Sequence, residues 1–226
     1  MQRKRIAIYG GTFDPVHSAH LEIARKVSEV FVIDEFLFVP ARLAPHKLDR
    51  EVSSALHRYA MLALATEEEP RLRISTFELE GEKRQYTVDT LLHFSSEQEQ
   101  LADLFFVMGG DSWSEITTWR QWERLISLCN LIVVTRPGFE ISTQAVAPPG
   151  ASVVDVRGMN RERISALVQA GKQKIFLTDA VMLDVSATKV RQAVRENRRE
   201  NLTKLVPPAV ADYIGKYRLY RNTNEA

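Results

Sequence analysis

Apolar residues fall along this chain in short blocks separated by amphipathic stretches. Ile6-Ala7-Ile8-Tyr9 is a continuous apolar run of strand length, closed by glycines. Leu21, Ile23, Ala24, Val27, Val30 and Phe31 follow, most of them on one face at helical spacing. Phe36-Leu37-Phe38-Val39 is a second strand-like block, stopped by Pro40. Residues 53–66 predict a helix, with Leu56, Met61, Leu62 and Leu64 among its apolar members. Leu72-Arg73-Ile74-Ser75 alternates weakly as a strand, and Thr87 to His93 opens a helix with Val88, Leu91 and Leu92 facing inward. Leu104-Phe105-Phe106-Val107-Met108 is a strong buried strand, followed later by Leu131 to Val134 and by the short Ile175-Phe176-Leu177. Ala187 to Asn197 and Pro208 to Tyr217 predict two late helices. Continuous apolar strands alternating with helices predict an α/β fold with a doubly wound, mostly parallel sheet.

In such a sheet a ligand lies outside the carboxyl ends of the strands. Small, polar and cationic residues do follow the apolar blocks: Gly10 to His20, Pro40 to Lys47, Gly109-Gly110-Asp111 and Arg136-Pro137-Gly138. Four loops would then converge on one cleft. The stretch Gly138 to Ser152, with Pro148-Pro149-Gly150, reads as a long loop. Too little chain follows it for a separate core. The expectation is therefore one domain over residues 1–226, with about 186–226 as a C-terminal helical part.

Composition narrows the classes. Hydrophobic residues make up 45% of the 226 residues, enough for a substantial core, and the net charge is +1. That leaves no basic footprint for a nucleic-acid polymer. No apolar run approaches the length of a transmembrane helix, which argues against a membrane partner. The basic start Met1 to Arg5 precedes only four apolar residues, too few for a signal-peptide core. The single cysteine, Cys129, adjoins Leu131-Ile132-Val133-Val134 and reads as a small buried apolar residue. A reducing cytoplasm is the expected compartment. Oligomeric state leaves no trace, so a homo-oligomer stays open.

The richest chemistry is in Gly10-Gly11-Thr12-Phe13-Asp14-Pro15-Val16-His17-Ser18-Ala19-His20. A strand, a glycine turn and a helix N-terminus form an anion site, because exposed N–H groups and the positive dipole end point at the ligand. His17 and His20, three apart, add side-chain donors on one helix face. The glycines are not a G-x-G-x-x-G dinucleotide fingerprint, and no G-K-[ST] follows for a P-loop. Metal ligation by the two histidines lacks a local third ligand, and a purely structural cap is the plainer alternative. The run G-G-T-F-D-P-x-H-x-x-H resembles the signature of bacterial nicotinate-nucleotide adenylyltransferases, members of the T/H-x-G-H nucleotidyltransferases with a Rossmann-like fold. In that group the histidine pair stabilises the phosphates of ATP, and His17 and His20 match it. Ala19 stands where the family usually has Gly, which predicts an ordinary helical backbone there.

Later motifs are weak singly, and each has a plainer reading. Pro45-His46-Lys47 could be a solvated loop; the resemblance implies that Lys47 contacts phosphates. Gly109-Gly110-Asp111 could be a strand end with an Asp cap; the resemblance implies that Asp111 holds a nucleotide ribose. Trp119 and Trp122 could share a helix face in the core; the resemblance implies that Trp119 stacks on a pyridine ring, while Trp122 stays in the core. Tyr86-Thr87 could be a helix start with Thr87 as cap, or part of the same ring site. Ser186 could be an N-cap. The run Val185-Ser186-Ala187-Thr188-Lys189-Val190-Arg191 resembles the family's I-S-S-T-x-I-R, with Ala187 replacing its second serine. The mixed run Arg195 to Glu200 reads as solvated surface.

The resemblance runs from Ile6 to about Arg191. It implies transfer of AMP from ATP to nicotinate mononucleotide, giving nicotinate adenine dinucleotide (deamido-NAD) and pyrophosphate. Gly10, Gly11, Thr12, Phe13, His17, His20, Asp111, Ser186, Thr188 and Arg191 would bind ATP. Thr12, Lys47, Tyr86, Thr87, Trp119 and Arg136 would bind nicotinate mononucleotide. His17, His20 and Lys47 would serve the chemistry, with Mg²⁺ carried on the ATP phosphates rather than in a protein cage. The alternatives are a same-fold transferase acting on nicotinamide mononucleotide or phosphopantetheine, or a nucleotide-binding regulator without turnover.

Overall fold

The computed structural model describes residues 3–42, 52–81, 85–98, 102–135, 152–169, 173–179, 181 and 183–221. The strands are β1 (Lys4–Gly11), β2 (Glu35–Pro40), β3 (Leu72–Ile74), β4 (Ala102–Gly109), β5 (Asn130–Val134), β6 (Ser152–Asp155) and β7 (Lys174–Thr178). The helices are α1 (Ser18–Val30), α2 (Ala55–Thr66), α3 (Phe77–Glu80), α4 (Thr87–Gln98), α5 (Gly110–Ser114), α6 (Trp122–Leu128), α7 (Arg161–Gln169), α8 (Ala187–Arg195), α9 (Arg199–Leu205) and α10 (Pro208–Lys216). One seven-stranded sheet runs β3-β2-β1-β4-β5-β7-β6, and every pairing in it is parallel.

Both faces of the sheet are covered, which is why its central strands are apolar throughout. Alternation is nevertheless strict. Ala7, Phe105, Val107, Ile132 and Phe176 face a core shared with α1, α2, α7 and α8 to α10. Ile6, Ile8, Phe106, Leu131, Val133 and Ile175 face a second core with α4, α5 and α6. Val190, Leu202, Val210 and Ile214 of the C-terminal helices lie in the same buried cluster as Ala7 and Phe13 of the first strand region. The late helices thus complete the sheet's cover.

The chain leaves β1 towards β2 and β3, then crosses to β4 on the other side. The carboxyl ends of β1 and β4 therefore frame a topological switch point, where the connecting segments diverge and leave a crevice.

Three features differ from the sequence pattern. Leu56 is 78% exposed at the start of α2, so the apolar face of that helix begins later, with Met61 and Leu62. The loop expected to run to Ser152 gives way there to β6, a four-residue edge strand exposed at both ends. An edge strand buries too little to show as an apolar run. Helix α7 buries only Ile164 and Val168, so its periodicity is equally faint. Its start carries a local signal all the same: the Asn160 side-chain carbonyl accepts from the Arg163 N–H at 3.0 Å.

Candidate active site

Strand β1 ends in Gly10 and Gly11, and the turn Thr12 to Val16 leads into α1. An alanine Cβ at Gly11 would sit 2.9 Å from the Phe13 ring, so this glycine makes room for that ring. A Cβ at Gly10 would meet Phe106 at an ordinary 3.5 Å. Packing alone therefore does not demand glycine at position 10. Phe13 takes a left-handed backbone, φ 49°, costly for a side chain with a Cβ. Its buried ring packs edge-on against Phe38, Tyr9 and His20, at 5.4, 5.6 and 5.0 Å between centroids.

His17 is the N-cap of α1 in extended conformation, and His20 is the third helical residue. The two imidazoles stack 3.7 Å apart with 20° between their planes. The His17 N–H donates to His20 Nδ1 at 3.2 Å. With Nδ1 accepting, a neutral His20 ring carries its proton on Nε2 and presents that N–H as a donor. Ala19 is helical and buried, in line with the expectation for a residue replacing glycine there. No acidic residue occupies the first turn of α1.

The histidines line a cavity of about 150 Å³ together with Gly109, Thr135, Ser186 and Ala187. It joins the end of β4, the end of β5 and two helix N-termini, those of α1 and α8. Ser186 is the N-cap of α8, its hydroxyl accepting from the Lys189 N–H at 3.3 Å. Two dipole ends and two imidazoles around one cavity make a site for a polyanion. Asp111 is exposed in the first turn of α5, next to Gly109 at the N-cap. Thr135, Val181 and Leu183 also line the cavity and escaped the sequence reading. The signal for Val181 and Leu183 was the apolar stretch just before the Ser186 cap.

Arg191, expected to bind ATP, is tied into the protein by two hydrogen bonds. It is buried, and its Nη1 donates to the Asp14 carbonyl at 2.6 Å, its Nη2 to the Thr188 hydroxyl at 3.1 Å. The first bond engages the guanidinium with the turn that precedes His17, and the second ties it to its own helix.

A second group lies on the other face of the sheet edge. Trp119 is half-buried with its ring edge-on to Phe106 at 6.3 Å, and Phe106 is the ring that Gly10 faces. Arg120 lies over the Tyr86 ring, 4.7 Å from its centroid, so the Tyr86 and Trp119 segments meet. Tyr86 precedes α4; its N–H donates to Asp89 Oδ2 at 3.0 Å, and Thr87 is the first helical residue. Trp119 and Trp122 do not share a helix face. Trp119 closes a short 3₁₀ turn, Gln121 turns left-handed with φ 52°, and Trp122 starts α6. Trp122 is half-buried against the second core, and Trp113 is the fully buried tryptophan of this segment. Pro45, His46, Lys47, Arg136 and the stretch 138–151 lie outside the described residues. Burial pushes the Cys129 thiol up to about 12, so it stays protonated.

A family model described as cytidylyltransferase-like matches residues 8–193. A protein of Thermoanaerobacter sp. (strain X514) named as a probable nicotinate-nucleotide adenylyltransferase is 34% identical over 226 residues, 100% of this chain and 99% of its own. This chain belongs to the nicotinate-nucleotide adenylyltransferase family. A second relative so named, from Citrifermentans bemidjiense, is 36% identical over 96% of this chain and 98% of its own. The fold agrees with that family as well. The Plasmodium falciparum nicotinic acid mononucleotide adenylyltransferase complexed with NaAD superposes with a TM-score of 0.70 at 23% identity, covering 96% of this chain and 97% of that one.

Proposed function

We propose that this protein transfers AMP from ATP to nicotinate mononucleotide, forming nicotinate adenine dinucleotide and releasing pyrophosphate. The stacked His17–His20 pair, set at a helix N-terminus in the cavity that α8 also opens into, carries the reading. Membership of the nicotinate-nucleotide adenylyltransferase family supplies the acceptor. The acceptor phosphate oxygen attacks the α-phosphorus of ATP in line. One P–O bond forms, the bond to the bridging β-phosphate oxygen breaks, and the electron pair leaves with pyrophosphate. Catalysis then rests on positioning and on neutralising charge. The His20 Nε2–H donates where charge grows on the phosphates, and His17 fixes the ring that carries it.

Ser186 and the first turn of α8 take the triphosphate from the other side, and Asp111 takes the ribose. Lys47 adds phosphate charge; with Thr12 and Arg136 it also reaches the acceptor. Gly10, at the end of β1, leaves room for the acceptor to lie across the strand ends, its ring on Trp119 and Tyr86 and its phosphate at the histidines. Among the described residues no three His, Cys, Asp or Glu side chains lie together as metal ligands. With no carboxylate cage among the described residues, a magnesium ion would be carried on the triphosphate oxygens, where it would neutralise phosphate charge, while the imidazole N–H groups donate to the phosphates themselves.

A pyrophosphate-release assay with ATP, Mg²⁺ and a panel of acceptors tests the reading. Nicotinate mononucleotide is expected to support release well above nicotinamide mononucleotide and phosphopantetheine. Release with only one of the other acceptors refutes the acceptor assignment. No release with any of them refutes the activity.

A further inference from the structure

The turn that delivers the two histidines is held from outside the cavity by groups far away in sequence. Asp14 is 1% exposed. Its Oδ1 accepts from the Tyr220 hydroxyl at 2.8 Å and from the Ser53 N–H at 3.4 Å. Arg58, also 1% exposed, spreads its guanidinium over three carbonyls: Thr12 at 2.8 Å, Ser53 at 3.0 Å and Arg42 at 3.2 Å. Arg191 holds the Asp14 carbonyl from a third direction. Burial works against the Arg58 charge, and the Asp14 carboxylate partly offsets this. A buried carboxylate between two buried guanidiniums is stable only while every partner stays in place.

Tyr220 is the member of this set that arrives last along the chain. Past the end of α10 the backbone turns left-handed at Arg218, φ 51°, and again at Tyr220, φ 65°. That path brings the phenol back onto the signature turn. Burial and the adjacent Asp14 charge push the hydroxyl far above its ordinary range, so it remains a donor at any working pH.

We infer that Tyr220 is a positioning residue for the nucleotidyl transfer: its hydrogen bond to Asp14 fixes the turn 12–15, and the turn fixes His20 through the Phe13 ring. The route is short. Phe13 precedes Asp14 directly, and its ring stands against the His20 imidazole at 5.0 Å. The inference rests on the reading of His20 as the donor to the reacting phosphates. The C-terminal turn is thereby part of the active-site framework, although it lines no part of the cavity.

The test compares the full-length protein with Tyr220→Phe, Asp14→Asn, the double variant, and Tyr217→Phe as an exposed control. Two readouts are needed: steady-state kinetics, and NMR of the imidazole resonances with labelled histidine. Misplacing a positioned group costs up to about 10²-fold, so losing one of several braces is expected to lower kcat by about tenfold. KM for ATP and for the acceptor stay within about twofold, and the His20 resonances shift. The double variant loses less than the product of the two single losses, because Asp14→Asn weakens the same hydrogen bond that Tyr220→Phe removes. Tyr217→Phe matches the unaltered protein. Unchanged kcat in Tyr220→Phe, or a lowered melting temperature with unmoved His20 resonances, overturns the inference. If the unaltered protein fails to turn over nicotinate mononucleotide, the functional reading falls separately, and the His20 resonances still decide the fate of the brace.

Discussion

The two faces of the sheet edge at the switch point are built in opposite ways. On one face, the signature turn and the start of α1 place His17 and His20 within a single continuous stretch. The supporting groups Asp14, Arg58 and Arg191 are almost fully buried there. On the other face, Tyr86 and Trp119 come from separate segments. They are half-buried; Arg120, next to Trp119, lies over the Tyr86 ring, and Trp119 itself packs edge-on to Phe106. The rigid face is the one where charge changes during the reaction. A donor aimed at developing charge works only if it needs no reorganisation when the charge appears. In the proposed reaction the aromatic face would have a looser task, since a flat ring is held by stacking, which tolerates small displacements.

His20→Ala breaks the rigid face where it matters most. Removing one positioned donor lowers kcat by about 10²–10³. Binding of ATP, measured by calorimetry, is expected to weaken far less, because the N-termini of α1 and α8 remain. Near-normal kcat in that variant would take His20 out of the mechanism.

Trp119→Ala probes the other face and is expected to act on the acceptor alone. If the pyridinium ring of nicotinate mononucleotide lies on this indole, as proposed, stacking and cation–π attraction are worth roughly 0.5–2 kcal/mol. That is about a 2- to 30-fold rise in acceptor KM, with KM for ATP nearly unchanged. Trp119 is also half-buried against Phe106, so a melting experiment should show moderate destabilisation, about 1–2 kcal/mol, short of the 3–5 typical of a fully buried tryptophan. Large destabilisation with an unchanged acceptor KM would make it a packing residue.

The glycine pair gives the smallest and sharpest contrast. Gly11→Ala drives a Cβ into the Phe13 ring and is expected to lower stability by about 1–3 kcal/mol. Gly10→Ala meets only an ordinary contact with Phe106, so its melting temperature is expected to stay within about 2 °C. If the acceptor lies close over Gly10, that variant still raises acceptor KM several-fold. An unaltered KM would show that a methyl group at position 10 is tolerated by the ligand too.

The alternation of apolar blocks was enough to read the central strands and five of the helices, α1, α2, α4, α8 and α10. Burying both faces of a strand leaves a continuous apolar run, and that signal survives without any tertiary knowledge. Elements that bury little escaped: β6 at the sheet edge, α7 with two buried residues, and the broken segment from α5 to α6. The histidine site was legible for a related reason. Its parts are contiguous, and a strand, a glycine pair and a helix start impose their mutual geometry locally.

What only the tertiary structure decided is which distant groups support that geometry. Arg58 and Tyr220 carry no motif, and a tyrosine near the end of a chain reads as surface. Arg191 fell within a readable motif, yet one of its hydrogen bonds reaches across to the signature turn. Trp119 and Trp122 looked like one helix face until the left-handed Gln121 separated them. The sequence determined the local chemistry because backbone geometry over about ten residues follows from residue type. It could not determine the bracing, because a buried hydrogen bond depends on which segments the fold brings together, and spacing along the chain carries no record of that.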